Sequence, residues 1–221
     1  MPSESSRQGQ IQGGAAVKLA WAVSGKGRVA RAVMEAHRAG LLKSKLDLVI
    51  FDRADDTASM MAYCSEHQID FKVIAPRDLE NELLETQKAR RLDCMGLTFN
   101  RLIPPSVIDA FNGRIFNLHF ALLPMFPGFG ATRKALESGL PYAGVTVHLV
   151  DAGIDTGPII AQRKVAIVAS DDEAALGRRQ FETALPLVLQ TVRLMENERQ
   201  PRFEVCDADL VRFAADYCLT V

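Results

Sequence analysis

From Val17 onward the chain alternates short apolar runs with longer amphipathic stretches, and no other feature constrains the fold as strongly. Strand, helix and strand in succession form the repeating unit of a parallel sheet clothed by helices. The runs VKLAWAVS (17–24), KLDLVIFD (45–52), FKVIA (71–75) and CMGLTF (94–99) predict four strands, with helices expected over 28–40, 56–68 and 76–91. These strands are almost continuously apolar, as strands buried on both faces must be. The expected class is α/β: a doubly wound, mostly parallel, Rossmann-like sheet flanked by helices.

The second half changes character. IFNLH (115–119) reads as a strand, but the Pro- and Gly-rich loop LLPMFPGFGA follows it instead of an immediate helix. Such a loop suits a ligand wall, because binding residues concentrate on loops carried by a rigid scaffold. A helix at 132–138, strands at 143–150 and 158–167, and a long helix from Asp171 to Glu198 follow. PRFEVCD (201–207) reads as a short edge strand and LVRFAADYC (210–218) as a closing helix. No composition shift marks a boundary, so residues 17–221 are expected to form one catalytic domain. Residues 1–16 are expected to be a disordered polar leader, without the apolar core of a secretory signal.

Charge and cysteine usage narrow the partners. With 26 basic and 27 acidic residues among 221, the formal net charge is −1, which gives no electrostatic reason to expect a nucleic-acid or membrane-surface partner. No stretch approaches the roughly 18 uninterrupted apolar residues of a membrane helix. Cys64, Cys94, Cys206 and Cys218 lie far apart without a CxxC pair, so neither a disulfide framework nor a metal site is expected, and a reducing cytoplasm fits. Any ligand must be recognised by a local site.

Three local patterns carry chemistry. SGKGRVA (24–30) follows the first strand and fits GxGxxG/A, in which glycine lets a turn approach a phosphate at a helix N-terminus. Asp52 ends the second strand about 25 residues later, near where a ribose-binding acid of a nicotinamide dinucleotide site would lie. Lys26 and Arg28 inside the loop fit a terminal phosphate better than a bridging pyrophosphate, so Gly25, Lys26, Gly27 and Arg28 read as the anchor of a phosphate-bearing substrate. Among the histidines, His37 and His67 complement helix C-termini, and His148 within an apolar strand reads as structural. His119 differs because it ends a strand at the carboxyl edge of the sheet, where open α/β folds place their chemistry, and shares a strand face with Asn117. An amide and an imidazole in one crevice can stabilise an oxyanion and handle a proton. In VDAGIDTGPII, glycines flank Asp155 and allow a tight loop to aim its carboxylate at a neighbouring strand end. Asn117, His119 and Asp155, with no Ser or Cys nucleophile and no metal, fit direct acyl transfer to an amine better than hydrolysis through a covalent intermediate.

FNLHFALLPMFPGFGATRKALESG followed by GVTVHLVDAGIDTGPIIAQRKV resembles the core of the folate-dependent formyltransferases, and the similarity runs from about Val17 to about Val192. The FPG of the loop is nearer to the phosphoribosylglycinamide branch than to the methionyl-tRNA or sugar-nucleotide branches, which have Arg in place of Pro127. The resemblance implies formyl transfer from 10-formyltetrahydrofolate, as co-substrate, to a primary amine through a tetrahedral intermediate. Asn117 would bond the formyl oxygen, His119 would stabilise the oxyanion, and Asp155 would orient a water and relay the amine proton. Arg101, Leu102 and Ile103 would line the pterin pocket, with Val150, Asp151, Ala152, Gly153, Ile154 and Asp155 as its other wall. Gly25 to Arg28 match the loop for the acceptor's phosphate, and Pro127, Gly128 and Glu182 belong to the expected substrate side.

Departures from the family pattern fall on that acceptor side. Lys26, Arg28 and Val29 replace small polar groups, Phe120-Ala121 replaces Pro-Ser, and no His follows Pro127-Gly128. The acid expected to meet the amine aligns with Phe181, and Glu182, one position on, is turned by about 100° around the helix. The expectation is intact donor chemistry with an altered acceptor pocket. Purine biosynthesis in the cytoplasm, two small-molecule partners and a homodimeric assembly complete it. An amino-sugar, amino-acid or hydroxylamine acceptor, or a folate-binding homologue without turnover, stands as the alternative.

Overall fold

The computed structural model describes residues 16–53, 57–196 and 208–218. Among the described residues seven strands form one sheet: β1 (Leu19–Val23), β2 (Leu46–Phe51), β3 (Asp70–Val73), β4 (Cys94–Thr98), β5 (Ile115–His119), β6 (Tyr142–Leu149) and β7 (Ile159–Ala166). Their order is β3-β2-β1-β4-β5-β6-β7. Pairing is parallel from β3 through β5 and antiparallel for β5–β6 and β6–β7. The helices are α1 (Arg28–Arg38), α2 (Ala58–Glu66), α3 (Leu79–Arg90), α4 (Pro105–Ala110), α5 (Ala131–Glu137), α6 (Glu173–Glu196) and α7 (Ala208–Cys218).

The central strand illustrates why these residues form a doubly covered sheet. All five residues of LAWAV are buried. By the two-residue period, Leu19, Trp21 and Val23 pack with α1 and α6 on one face, while Ala20 and Ala22 meet Leu48, Ile50, Met95 and Leu97 on the other. Trp21 sets its own neighbour: a Cβ at Gly96 of β4 would lie 2.4 Å from the Trp21 ring, so only glycine fits beneath it.

Two elements differ from the sequence expectation. The stretch from Pro76 begins with a 3-10 turn, Pro76–Asp78, before α3. Residues 105–110, to which the sequence reading assigned no element, form a short helix, α4, because proline at the first helical turn loses only a backbone N–H that would have been unpaired there. The polar leader and the edge strand expected at 201–207 lie outside the described residues. Among the described residues no helix is long and apolar enough to cross a membrane.

Parallel order places the carboxyl ends of β1, β2, β4 and β5 along one edge. The order reverses direction at β1, from which β2 and β4 depart to opposite sides. This is where an open α/β sheet leaves a crevice.

Candidate active site

A cavity of about 570 Å³ opens at that edge. The segment after β4 (Phe99 to Ile103), the end of β5, the loop after it and the Val150–Asp155 loop all border it. Its walls are largely apolar side chains, with Leu102 and Ile154 exposed and Ile103 buried. Asn117, His119, His148 and Asp155 gather at the β5 end.

Strand pairing creates that polar cluster. Asn117 of β5 sits opposite His148 of β6, and His119 ends the strand two residues on. Asn117 Nδ2 lies 3.3 Å from His148 Nε2 and donates to Asp155 Oδ1 at 3.4 Å. His119 Nδ1 lies 3.3 Å from Asp155 Oδ2, and His148 Nε2 lies 3.4 Å from Asp155 Oδ1. The carboxylate is thus enclosed by one amide and two imidazoles.

The loops fix Asp155 and His119 from outside. Asp155 has φ +54°, and the Gly128 N–H donates to its Oδ2 at 2.8 Å. Asp151 accepts from Gly153 N–H and Thr156 Oγ1, closing the loop on itself. Gly157 is obligatory there: a Cβ would lie 1.9 Å from the Leu149 carbonyl oxygen, so the loop can turn back into β7 only without a side chain. His119 Nε2 donates to the Phe126 carbonyl at 2.8 Å.

Electrostatics poise this cluster for proton transfer. Burial pushes His119 below the usual histidine range, against the Phe126 carbonyl and the Asp155 carboxylate, which pull it up. Either neutral tautomer leaves one ring nitrogen facing an acceptor, whereas the protonated ring satisfies both. Burial would raise Asp155, but the His148 and Gly128 hydrogen bonds and the two neighbouring rings outweigh it and hold the carboxyl at about 2. An acid ionised at neutral pH therefore faces an imidazole that burial pushes toward its neutral form.

His148 is the functional candidate that sequence reading passed over as structural. The residue was visible as an imidazole in an otherwise largely apolar strand run, but its place opposite Asn117 depends on which strand pairs with β5. Glu173 and Thr132 also border the cavity and carried no sequence signal.

The other expected residues are distributed unevenly. Arg101, Leu102, Ile103, Val150, Asp151, Gly153, Ile154 and Gly128 border the cavity, whereas Ala152, Pro127 and Glu182 do not. Glu182 is exposed, and Phe181 beside it is buried under the Arg28 guanidinium, 4.5 Å from the ring centroid. The Gly25–Arg28 turn adjoins the cavity through Ser24, and Gly27 caps α1 with φ 68°. A side chain at Gly27 would also press within 2.8 Å of Met60. Asp52, the candidate ribose acid, instead accepts from Arg101 Nε at 3.0 Å across the end of β1, with its side chain 2% exposed. That orientation offers no carboxylate to a ribose diol.

The sequence matches the formyl transferase family over residues 17–192. It is 31% identical over 195 residues to the trifunctional purine biosynthetic protein adenosine-3 of Drosophila melanogaster, covering 82% of this chain and 14% of that protein. It is 46% identical over 94 residues to phosphoribosylglycinamide formyltransferase of Mycobacterium tuberculosis, covering 42% of this chain and 44% of the relative. The chain thus spans less than half the length of either relative. A crystal structure of phosphoribosylglycinamide formyltransferase from Bacillus halodurans has the same fold, with TM-score 0.77 and 30% identity over 83% of this chain and 97% of that one.

Proposed function

Since the chain belongs to the formyl transferase family, we propose that it transfers the formyl group of 10-formyltetrahydrofolate to the primary amine of phosphoribosylglycinamide. The observation that carries this reading is the placement of Asn117 and His119 each within 3.4 Å of the Asp155 carboxylate in the wall of a largely apolar cavity. A flat pterin fits between Leu102 and Ile103 on one side and Val150 and Ile154 on the other, so the residues present suit the donor. Bound there, the donor supplies an activated formyl carbon.

The side chains have distinct roles in this reading. Asn117 donates to the formyl oxygen; its present contacts are at the long end of hydrogen bonding and exchange readily for a closer acceptor. His119 in its protonated form, which the Phe126 carbonyl and the Asp155 carboxylate favour, places positive charge beside the oxygen as it becomes negative. Asp155, whose carboxylate stays ionised throughout the neutral range, orients a water and relays the amine's proton through it toward the departing nitrogen. One new C–N bond forms and the donor's C–N bond breaks. The amine loses one proton while the departing nitrogen gains one.

Gly25, Lys26, Gly27 and Arg28 hold the acceptor's phosphate at the uncapped start of α1. The setting is cytoplasmic, with two small-molecule substrates, no nucleic acid and a homodimeric enzyme. Arg28 seated on Phe181, where the family has an acid, favours as the second reading a different anionic amine.

The test is formyl transfer from 10-formyltetrahydrofolate to phosphoribosylglycinamide alongside amino-sugar, amino-acid and hydroxylamine acceptors. Phosphoribosylglycinamide should be preferred, and His119→Ala should lower turnover by about two to four orders of magnitude with folding intact. Near-normal transfer by that variant would sink the assignment. Preference for another amine would select the second reading, and folate binding without any transfer would select the homologue without turnover.

A further inference from the structure

We infer that Gln180 is a positioning residue for the active site, tying together the two ends of the loop that holds His119 and Asp155. The inference rests on the proposed roles of those two side chains and adds to them what sets their geometry.

Gln180 lies in α6 and is 0% exposed, unusual for an amide side chain. Its Nε2 donates to the Phe120 carbonyl and to the Gly144 carbonyl of β6, each at 2.8 Å, and its Oε1 accepts from Thr132 Oγ1 at 2.8 Å. Both amide hydrogens and the amide oxygen are therefore engaged. Phe120 directly follows His119, and Thr132 lies in the first turn of α5, so one side chain spans the start and the end of the 120–131 loop.

Between those ends lie the two backbone groups that orient the catalytic pair. The Phe126 carbonyl receives His119 Nε2, and the Gly128 N–H donates to Asp155. A second clasp holds only the first half of the loop. Thr146 Oγ1 donates to the Ala121 carbonyl, and Gln162 Nε2 donates to the Leu123 carbonyl. Gln180 alone among these connects that half to α5, closing the loop into a ring anchored on α6. The next residue of α6, Phe181, carries the Arg28 guanidinium. Adjacent residues of one helix thereby register the catalytic loop against the α1 turn.

Loss of the amide leaves the Phe120 and Gly144 carbonyls buried without a donor, a condition relieved by moving the loop. Displacement of Phe126 by a fraction of an ångström is enough to matter, because reacting groups tolerate little misplacement.

The test compares Gln180→Met, similar in shape but unable to make any of the three bonds, with Thr191→Val. Thr191 is also 0% exposed on α6, but its hydroxyl bonds only to the Leu187 carbonyl within the helix. Gln180→Met should lower kcat about 10- to 100-fold, with the donor's KM within about three-fold of wild type. Its His119 ring, followed by NMR without any substrate, should titrate at lower pH once the Phe126 carbonyl is displaced. Thr191→Val should lose thermal stability while keeping wild-type kcat and His119 titration. Should Gln180→Met not fold, Thr132→Val removes one bond of the same set, and a smaller shift of His119 in the same direction is expected.

The inference is overturned if His119 titrates as in wild type in the folded variant, or if activity falls only in proportion to the unfolded fraction. Absence of formyl transfer by the wild-type chain would refute the proposed function instead, and the His119 titration would still decide the role of Gln180.

Discussion

Asp155 concentrates most of the local electrostatics, and its environment makes a prediction about acid stability. Its carboxyl is held at about 2 in the folded chain, below the usual 3.8. As pH falls through about 4, the unfolded chain binds this proton first, so stability present at neutral pH is lost between about 4 and 2. The contribution is on the order of 2 kcal/mol. His119 acts with the same sign at higher pH: its folded value is lowered from 6.5, so below about 6.5 the unfolded chain takes up a proton that the folded one resists. Chemical denaturation at stepped pH should show stability falling on the acid side of 6.5, and Asp155→Asn should flatten the segment between about 4 and 2. An unchanged slope there would contradict the carboxylate's enclosure by His119, His148 and Gly128. At this scale Asn117, His119 and Asp155 were legible, because strand period and flanking glycines are properties of neighbouring residues. His148 was not, because its place in the cluster follows from facing Asn117 across the β5–β6 pairing.

The glycine turns decide how elements meet. Gly157→Ala inserts a Cβ 1.9 Å from the Leu149 carbonyl oxygen, with backbone on one side and a strand on the other. The Val150–Asp155 wall must shift, at a cost of about 1–3 kcal/mol. Donor KM should rise at least about ten-fold, more than acceptor KM does, and thermal denaturation with steady-state kinetics for both substrates checks it. Most elements were readable from apolar periodicity, β5 to the residue. The helix left unassigned, α4, begins at a proline pair: Pro104-Pro105 marks a chain that cannot continue a helix, and also one that can start it. Its role was settled by Val107, which is fully buried against the core on the α3 and α4 side of the sheet.

For the whole molecule, a net charge of −1 leaves no broad field to gather the proposed anionic acceptor, so its recognition would depend on a few placed cations. Lys26→Ala and Arg28→Ala should each raise the KM for an anionic acceptor about ten-fold, corresponding to a lost charged contact of about 1.4 kcal/mol. Arg28→Ala also removes the cation from the face of Phe181. Raising ionic strength from about 0.05 to about 0.5 M should weaken acceptor binding in the wild type and much less in the double variant, as screening requires. Equal salt sensitivity in both would place the anion elsewhere.

The alternation of apolar and amphipathic segments determined the sheet and its helical layers, since burial on two faces can be read from composition along the chain. The spacing in NLH and in DAGIDTG likewise pointed to the side chains that meet at the cavity, Asn117, His119 and Asp155. Tertiary structure alone decided the rest: that β6 returns antiparallel beside β5 and sets His148 against Asn117, that Asp52 turns to Arg101, and that Gln180 closes the catalytic loop from a helix 60 residues away. These contacts join segments distant in sequence, and no local pattern encodes them because their energies exist only once the layers have packed.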